Sequence, residues 1–259
     1  MNADVSPKRA LGQHFLVDPN ILRVIGRLAK LDEADVVLEV GPGLGVLTTF
    51  LADRVRHVHA VEVDESLEST LRAAIGERSN VSLVFGDATK VDATELLPMT
   101  TKLVSNLPYN VAATVVVNSL ETMPSIQLWC VMVQKEVGER FFAKRGTKAY
   151  GAVSVLVQLA SVRTGAHAVS RNVFRPRPRV DSMLVAFTRA PGLPNYDRVK
   201  EVVQAAFAHR RKTLPNSLAL SGLAGREEGA AALAALGHEA SARAEDLTPE
   251  EFARLTELL

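Results

Sequence analysis

The tetrad Asn106-Leu107-Pro108-Tyr109 has the functional groups to hold a flat ring that bears an amine. The Asn106 side-chain oxygen and the Leu107 carbonyl are hydrogen-bond acceptors, Pro108 makes the turn rigid, and Tyr109 offers a face on which a base can stack. Adenine's exocyclic amine is a weak nucleophile because its lone pair is delocalised, and accepting hydrogen bonds from the NH₂ group concentrates that lone pair on nitrogen. The tetrad therefore predicts a pocket for an adenine amine. The alternative is a turn that merely ends a strand.

A glycine-rich segment, Glu39-Val-Gly-Pro-Gly-Leu-Gly45, follows a short apolar run and precedes a stretch of helical length. Glycine lets the backbone turn sharply and lets a ligand approach the main chain closely. The spacing of Gly41, Gly43 and Gly45 is G-x-G-x-G, which departs from the G-x-G-x-x-G fingerprint of dinucleotide-binding turns. Taken alone, the segment fits a ligand-binding turn or a purely structural one.

Polar residues end three successive predicted strands, at the edge where doubly wound sheets bind ligands. Glu62 can accept hydrogen bonds from both hydroxyls of a ribose, and Asp87 can accept one from an adenine amine; Asn106 ends the next strand. Each alone fits a helix cap or a surface acid, but the succession indicates an adenosine ligand without a pyrophosphate. S-adenosylmethionine is such a ligand, and methyl transfer from its sulfonium needs only a lone pair held in line with the methyl group.

Other chemistries fit the sequence less well. The only cysteine, Cys130, lies in the apolar run LWCVMV and is expected to be a buried strand residue, so a cysteine nucleophile is disfavoured. His57 and His59 alternate along a predicted strand and do not form an i, i+4 metal pair. We expect no metal site.

The elements that must position these residues alternate between strand and helix, which is typical of a doubly wound α/β sheet. The valine-rich strands are predicted at Asp35–Val40, His57–Glu62, Val81–Phe85, Lys102–Asn106 and Ile126–Gln134, with Ser161–Val169 and Met183–Thr188 at the end of the sheet. Helices are predicted between them at Val46–Arg54, Leu67–Glu77 and Val111–Glu121.

The character of the chain changes after Ala190, where a turn-rich segment is followed by a region without β-branched runs. AAALAAL (230–236) and the stretch after Thr248 look helical, and Thr248-Pro-Glu-Glu251 carries the signals of a helix start with a capping box. We therefore predict a Rossmann-like methyltransferase domain over residues 1–190 and a small α-helical domain over 191–259.

Composition narrows the class of protein. With 259 residues, 47% of them apolar, the chain can bury a large core, and a single cysteine excludes a disulfide framework and favours a reducing, cytoplasmic setting. Secreted and membrane-spanning proteins are not expected, because no apolar run approaches about 18 residues. The net charge is only +1, yet residues 31–134 carry six basic and fourteen acidic groups, whereas 135–190 carry eleven and three. This asymmetry indicates a polyanionic partner, and scattered solvated charges are the alternative.

Seven motifs in a fixed order resemble the KsgA-type ribosomal RNA adenine dimethyltransferases. They extend from residue 11 to residue 218, and the last two lie outside the general methyltransferase pattern. The motifs are LGQHFLVDPNIL (11–22), LEVGPGLGVLT (38–48), VEVD (61–64), GDA (86–88), NLPYN (106–110), FRPRPRVDS (174–182) and RRKTLPNSL (210–218).

The resemblance implies dimethylation of two adjacent adenosines in the 3′-terminal hairpin loop of small-subunit rRNA, late in ribosome assembly. It implies that Asn106, Leu107, Pro108 and Tyr109 carry the target base, and that Phe174 stacks on it from the other side. The sequence departs from the family at His14, where many members have Asn, and at Arg177, where proline is common. The resemblance assigns S-adenosylmethionine binding to His14, Leu16, Gly41, Gly43, Glu62, Asp87 and Asn106.

Three basic clusters are candidates for contact with RNA phosphates. Prolines keep the FRPRPR loop extended, so that its arginines can face phosphates. For the cluster at 210–212, a solvated helix face is the equally weighted alternative. The candidate residues are Lys144, Arg145, Lys148, Arg175, Arg177, Arg179, Arg210, Arg211 and Lys212.

Rival functions remain at this point. Large-subunit rRNA methyltransferases that confer macrolide resistance share the glycine loop and an NLPY-like motif, and a non-catalytic assembly checkpoint that binds RNA would retain the fold. A DNA adenine methyltransferase is a weaker rival, because its comparable motif normally has two prolines. We expect a monomer whose main interface is with the small ribosomal subunit.

Overall fold

The computed structural model describes residues 8, 13–192 and 195–259. Its strands are β1 (Phe15–Leu16), β2 (Val36–Val40), β3 (His57–Glu62), β4 (Val81–Phe85), β5 (Lys102–Asn106), β6 (Leu128–Gln134), β7 (Ser161–Val169), β8 (Phe174–Arg175) and β9 (Ser182–Arg189). β1 and β8 form a two-stranded antiparallel sheet, and the others form a seven-stranded sheet of order β4-β3-β2-β5-β6-β9-β7.

The helices connect the strands and make up most of the C-terminal part of the chain. They are α1 (Pro19–Leu28), α2 (Val46–Ala52), α3 (Glu68–Ile75), α4 (Ala112–Thr122), α5 (Lys135–Phe141), α6 (Ala152–Ala160), α7 (Tyr196–Ala208), α8 (Leu214–Leu220), α9 (Arg226–Ala235) and α10 (Pro249–Leu258).

The order of the parallel strands reverses between β2 and β5. β3 and β4 extend the sheet on one side of β2, while β5 and β6 extend it on the other. The backbone ladder between β2 and β5 ends at the pair Leu38 and Leu103. Beyond it, the buried Ser105 hydroxyl donates to the Val40 carbonyl (2.6 Å) and accepts from the Val40 N–H (3.3 Å). Such a switch point is where open α/β sheets bind ligands.

The predicted Rossmann-like sheet and the C-terminal helices are confirmed. Each predicted strand and inter-strand helix is present with ends within two residues of the expected ones. The sheet is not parallel throughout, because β9 runs antiparallel to β6 from Leu128 opposite Thr188 to Gln134 opposite Ser182. The capping box of α10 is also present: Thr248 Oγ1 accepts from the Glu251 N–H (3.2 Å), and Glu251 Oε2 accepts from the Thr248 N–H (2.7 Å).

The chain forms two compact units, whose bounds differ from the predicted domains. The first comprises the described residues of 1–138 with 162–189, and the second comprises 139–161 with the described residues of 190–259. Residues 139–161 pack with the C-terminal helices because the buried Tyr150 hydroxyl donates to the Leu247 carbonyl (2.8 Å) and the Gly146 N–H donates to the Glu245 carbonyl (2.9 Å). The division into 1–190 and 191–259 stays a prediction about domains.

No helix in the described part of the chain is long and apolar enough to cross a membrane.

Candidate active site

A cavity of about 240 Å³ lies within the first unit, at the carboxyl ends of β2, β3, β4 and β5. Residues 13–16, the glycine loop and residues 106–111 line it together with Glu62 and Asp87. The acidic side chains come from strand ends that the sheet order brings side by side. Among the described residues of the lining there is no lysine or arginine. The cavity is therefore suited to a ligand that carries positive charge.

The glycine loop turns the chain from β2 into α2 through three residues in the left-handed region. Gly41, Gly43 and Gly45 have φ of 72°, 60° and 78°. A Cβ at Gly43 would lie 2.8 Å from the Phe15 ring, so a larger residue there would displace residue 15 of β1. The Gly41 N–H donates to the Val61 carbonyl (2.8 Å), which ties the loop to β3.

Glu62 lies at the end of β3, buried to 4% exposure, with its carboxylate largely engaged by backbone groups. Oε2 accepts from the Gly43 N–H (3.2 Å), and Oε1 accepts from the Val63 and Asp64 N–H groups (3.0 Å each). Burial raises the pKa of Glu62, and the backbone N–H groups oppose that rise. A carboxylate has about four acceptor positions, so about one remains for a ribose hydroxyl. Acceptance from both hydroxyls stays a prediction.

Glu39, one residue before the end of β2, is a functional group that the sequence reasoning did not assign. It is 1% exposed, and among the described residues Oε2 is one of the buried side-chain atoms without a hydrogen-bond partner. Burial, together with the neighbouring Glu62 carboxylate, raises the pKa of Glu39 to about 8. The available signal was a charged residue inside the buried run VVLEV, where isolated charges are rare.

Asp87 lies in the loop after β4 and lines the same cavity with an exposed side chain. Its Oδ1 accepts from the Thr89 hydroxyl (2.7 Å) and the Thr89 N–H (2.9 Å), and these bonds lower the pKa of Asp87. The group is therefore a carboxylate at neutral pH. The Lys90 ammonium lies 3.8 Å from Oδ2.

Hydrogen bonds and a close approach to the glycine loop hold the tetrad in place. The Asn106 amide nitrogen donates to the His14 carbonyl (3.1 Å), so its side-chain oxygen points away from His14. The Leu107 N–H donates to the Met132 carbonyl of β6 (3.0 Å), which fixes the plane of that peptide. The Tyr109 hydroxyl shares a hydrogen bond with the Ser182 hydroxyl (2.7 Å), and burial raises the pKa of Tyr109, so the phenol stays neutral. A Cβ at Gly41 would lie 3.2 Å from Pro108, which shows how closely the tetrad adjoins the glycine loop.

Lys8 and Gln13 form hydrogen bonds with the loop after β3, a link that sequence reasoning missed. The buried Asp64 accepts hydrogen bonds from Lys8 Nζ (2.6 Å) and Gln13 Nε2 (2.8 Å). Leu16 is buried in β1 and lines the cavity, as does His14. Their cofactor contacts stay predictions.

Phe174 does not line the cavity in this structure, and its stacking on a base stays a prediction. Phe174 is fully buried (0% exposed) and packs in the apolar core with Leu16 and Val169. It pairs with Leu16 across β1 and β8 and is not part of the cavity lining. Stacking on an adenine would require this side chain to leave the core.

The candidate RNA-contacting residues are exposed in both units. In the first unit they are Arg175, Arg177 and Arg179, and in the second they are Lys144, Arg145, Lys148, Arg210, Arg211 and Lys212. The cluster at 210–212 follows the end of α7 at Ala208 and precedes α8, so it lies on a turn and not on a helix face. Contact with RNA stays a prediction for all nine.

Cys130 is a fully buried residue of β6, as expected, and burial raises the pKa of its thiol to about 12. Within the described residues, no group of three or more His, Cys, Asp or Glu side chains is placed to hold a metal ion.

Comparison with known proteins decides the family. A family model described as ribosomal RNA adenine dimethylase matches residues 5–259. The chain belongs to the ribosomal RNA adenine dimethylase family. It is therefore an S-adenosylmethionine-dependent rRNA adenine dimethyltransferase.

Two named relatives of this rRNA adenine dimethyltransferase cover nearly its whole length. The ribosomal RNA small subunit methyltransferase A of Rubrobacter xylanophilus is 49% identical over 250 residues, 96% of this chain and 94% of the relative. The protein of the same name from Thermobifida fusca is 44% identical over 263 residues, 98% and 90% of the two chains.

Two solved structures share the fold of this adenine dimethyltransferase. A dimethyladenosine transferase from Plasmodium falciparum superposes with a TM-score of 0.77, at 24% identity, over 93% of this chain and 96% of that one. The 23S rRNA methyltransferase ErmE superposes with a TM-score of 0.69, at 27% identity, over 95% and 99%.

The residues of the dimethyltransferase fit its cofactor. S-adenosylmethionine carries a positive sulfonium and an ammonium group, and it supplies an electrophilic methyl group when bound. Glu39 lines the cavity and has a buried oxygen without a hydrogen-bond partner among the described residues, and Glu62 and Asp87 add two further acidic groups. The glycine loop, Glu39, Glu62 and Asp87 are the residues that would hold the cofactor.

Proposed function

We propose that this adenine dimethyltransferase acts on small-subunit (16S) rRNA during ribosome assembly, and that its targets are two adjacent adenosines in the 3′-terminal hairpin loop. The similarity to proteins named small subunit methyltransferase A supports the choice of subunit. The observation that carries the chemistry is the single cavity that the glycine loop and Asn106 share.

The tetrad supplies what the N6 amine needs. With its nitrogen committed to the His14 carbonyl, Asn106 presents its side-chain oxygen as an acceptor for one N6 hydrogen, and the Leu107 carbonyl accepts the other. Tyr109 supports the flipped base by stacking. When bound, S-adenosylmethionine would supply the methyl group and leave as S-adenosylhomocysteine, and the N6 proton would pass to solvent. A second round on the monomethylated amine gives the dimethyl product.

The exposed basic residues support an RNA substrate. Arg175 is the last residue of β8 in the first unit, and Arg177 and Arg179 lie on the proline-interleaved loop that follows it. The second unit carries six more exposed basic residues in its two clusters. If ~5 to 8 of the nine meet phosphates, the log–log dependence of binding on salt will have a slope of roughly −0.7 to −0.9 per contact.

A methylation assay tests the proposal. Small subunits that lack the modification are incubated with labelled S-adenosylmethionine, and the 3′ hairpin is examined by mass spectrometry. We expect two adjacent dimethyladenosines. Asn106→Ala should slow the reaction by about 100-fold, because a preorganised hydrogen bond to the reacting group is lost. Asn20→Ala, in an exposed position of α1 away from the cavity, is the matched control and should behave as wild type. No adenine dimethylation, or an unaffected Asn106→Ala variant, would refute the proposal.

A large-subunit target is the second candidate. It is favoured by the likeness to ErmE, which extends over 95% of this chain. Methylation of isolated large-subunit RNA in place of small subunits would select this alternative.

A role as an assembly checkpoint is compatible with catalysis. An Asn106→Ala variant that is inactive but still binds subunits and restores assembly would show that binding is the dominant role. We further propose that the protein acts in the cytoplasm as a monomer, and light scattering of the free protein tests the second point.

A further inference from the structure

The His14 side chain makes two contacts, one with the FRPRPR segment and one with Tyr109 of the tetrad. Its Nδ1 lies 2.8 Å from the Pro176 carbonyl oxygen in the FRPRPR loop. A carbonyl only accepts, so Nδ1 must carry the proton and donate. The imidazole also lies against Tyr109, with ring centroids 5.3 Å apart and planes inclined by 37°.

The backbone of His14 makes a third contact, with the reactive end of the tetrad. Its carbonyl accepts the hydrogen bond from the Asn106 amide nitrogen (3.1 Å). An asparagine amide has nearly the same shape in its two flipped orientations, and its hydrogen bonds decide between them. Flipped, Asn106 would present its NH₂ group to the NH₂ group of adenine, two donors facing each other. The position of the His14 carbonyl therefore determines which group the substrate meets.

Residue 14 precedes β1, whose two residues pair with β8. Phe15 lies opposite Arg175, and the Val17 N–H donates to the Val173 carbonyl (2.9 Å). This short ladder holds the residues that follow His14, and the hydrogen bond from Nδ1 to the Pro176 carbonyl holds the His14 side chain itself. Together they anchor residue 14 to residues 173–176 while it contacts Asn106.

The ring contact also limits where a base can stack. A ring inserted between His14 and Tyr109 would need about 7 Å, twice the usual contact distance of about 3.5 Å. The observed separation of 5.3 Å leaves no such space. An adenine that stacks on Tyr109 must use the face that His14 does not cover.

We propose that His14 is a positioning residue for the methylation reaction: by donating from Nδ1 to the Pro176 carbonyl, it fixes its own carbonyl so that Asn106 presents oxygen to the target amine. This role rests on adenine methylation by the tetrad. It concerns the side chain of His14, and it leaves the predicted cofactor contact of residue 14 to the backbone.

A set of His14 variants separates the effect of the Nδ1 hydrogen bond from the effect of the imidazole ring. The amide nitrogen of an asparagine occupies nearly the place of Nδ1, so His14→Asn keeps the donor and loses the ring. The amide of a glutamine reaches the place of Nε2, and His14→Gln, His14→Phe and His14→Ala all lack a donor at Nδ1. Rates are measured with saturating cofactor and methyl-deficient small subunits, the dissociation constant for S-adenosylmethionine by calorimetry, and folding by thermal unfolding.

We expect kcat to fall about tenfold in the Gln, Phe and Ala variants, the effect of losing about one hydrogen bond. His14→Asn should stay within about twofold of wild type, and all four should bind the cofactor with unchanged affinity. Equal losses in the Asn and Ala variants, wild-type rates in all four, or a loss confined to cofactor affinity would overturn the proposal.

Nuclear magnetic resonance of ¹⁵N-histidine-labelled protein provides a test that needs no variant. The expected spectrum has a proton on Nδ1 of His14, and a neutral ring protonated on Nε2 alone would overturn the proposal. A wild-type enzyme that left small subunits unmethylated would instead count against the proposed substrate, so the two failures are distinguishable.

Discussion

The side-chain nitrogen of Asn106 and the backbone oxygen of His14 are 3.1 Å apart and joined by a hydrogen bond, although 92 residues separate them in the chain. The bond connects the segment that enters β1 with the end of β5. It makes Asn106 a donor to His14, and in the proposed reaction the side-chain oxygen accepts from the target amine. The proposed reaction therefore requires an amide at this position, and neither a carboxylate nor an aliphatic side chain of the same size supplies both groups.

Replacing Asn106 by aspartate tests this requirement. Aspartate keeps acceptor oxygens for the target amine, but it places a carboxylate against the His14 carbonyl, where two acceptors repel each other. We expect the rate to fall by about 100-fold, as for loss of a preorganised catalytic hydrogen bond. Single-turnover methylation of small subunits measures the rate, and activity within a few-fold of wild type would show that acceptor capacity alone suffices.

Cofactor binding should release a proton from Glu39. Its pKa is raised to about 8 in the protein without ligand, so near pH 7 the group is mostly protonated. The positive charge of the ligand favours the carboxylate and should displace up to about one proton. Calorimetric titrations at pH 7 in buffers of different ionisation enthalpy give the number released. Glu39→Gln is the control, since it removes the titrating group with little change of shape, and equal proton release in both proteins would contradict the prediction.

The same carboxyl group should make the stability of the ligand-free protein depend on pH. The pKa of Glu39 is 4.5 ordinarily and about 8 in the folded state, so between these values the native protein holds a proton that the unfolded chain has lost. The free energy of unfolding should therefore decrease as pH rises from 4.5 towards 8. Urea unfolding at several pH values should show a weaker decrease in Glu39→Gln than in wild type, and parallel profiles would refute the assignment.

Asp64 should contribute stability with the opposite dependence on pH. Burial alone would raise its pKa, yet hydrogen bonds from Lys8, Ser66 and Gln13 lower it from 3.8 to about 2. Its contribution is complete above pH 3.8, and it is lost as the pH falls from 3.8 towards 2, because the unfolded chain takes up the proton first. Acid unfolding of Asp64→Asn should lack this component, whereas Glu77→Gln, at an exposed site on the surface, should retain it.

Ser105 should contribute to the free energy of unfolding through hydrogen bonds, without changing the charge of the protein. Its hydroxyl satisfies both backbone groups of Val40, so Ser105→Ala leaves a buried N–H and a buried carbonyl without that partner. We expect a loss of about 1 to 3 kcal/mol in the free energy of unfolding. Ser79→Ala, on the surface, serves as the control in the same urea titration. Equal midpoints for the two variants would show that the Ser105 bridge contributes nothing.

The arginines of the FRPRPR loop should affect the dependence of RNA binding on salt. Replacing Arg175, Arg177 and Arg179 together by glutamine should reduce the log–log slope by roughly 0.7 to 0.9 for each phosphate contact that is lost. The control replaces three other exposed arginines of the first unit, Arg23, Arg27 and Arg72. Filter binding of a 16S 3′ hairpin between low and moderate salt provides the slopes, and identical slopes would exclude this loop from the interface.

The sequence predicted the seven-stranded sheet because buried parallel strands carry their signal locally. The run Val36–Val40 is buried on both faces and apolar except for Glu39, and the turn after it is marked by glycines. Local signals also mark the start of α1, although we did not predict this helix. Asp18 caps it by accepting from the Asn20 N–H, and Pro19 occupies its first turn.

What the sequence did not predict depends on residues far apart in the chain. The burial of Phe174 follows from the pairing of β8 with β1, across more than 150 residues, and no local pattern indicates it. The link between Gln13 and Asp64 is of the same kind. The raised pKa of Glu39 is also not apparent from the sequence, because it is set by the surrounding tertiary structure.

The full burial of Cys130 in β6 has a practical consequence. A thiol whose pKa is raised to about 12 and which solvent does not reach is inert towards maleimides and iodoacetamide, which attack thiolates. Since the chain has one cysteine in all, a cysteine introduced at a surface position such as Arg177 would be the sole reactive thiol. A photoactivatable cross-linker or a fluorophore could then be attached at one chosen point, without first removing the native cysteine, to locate the enzyme on the assembling ribosomal particle.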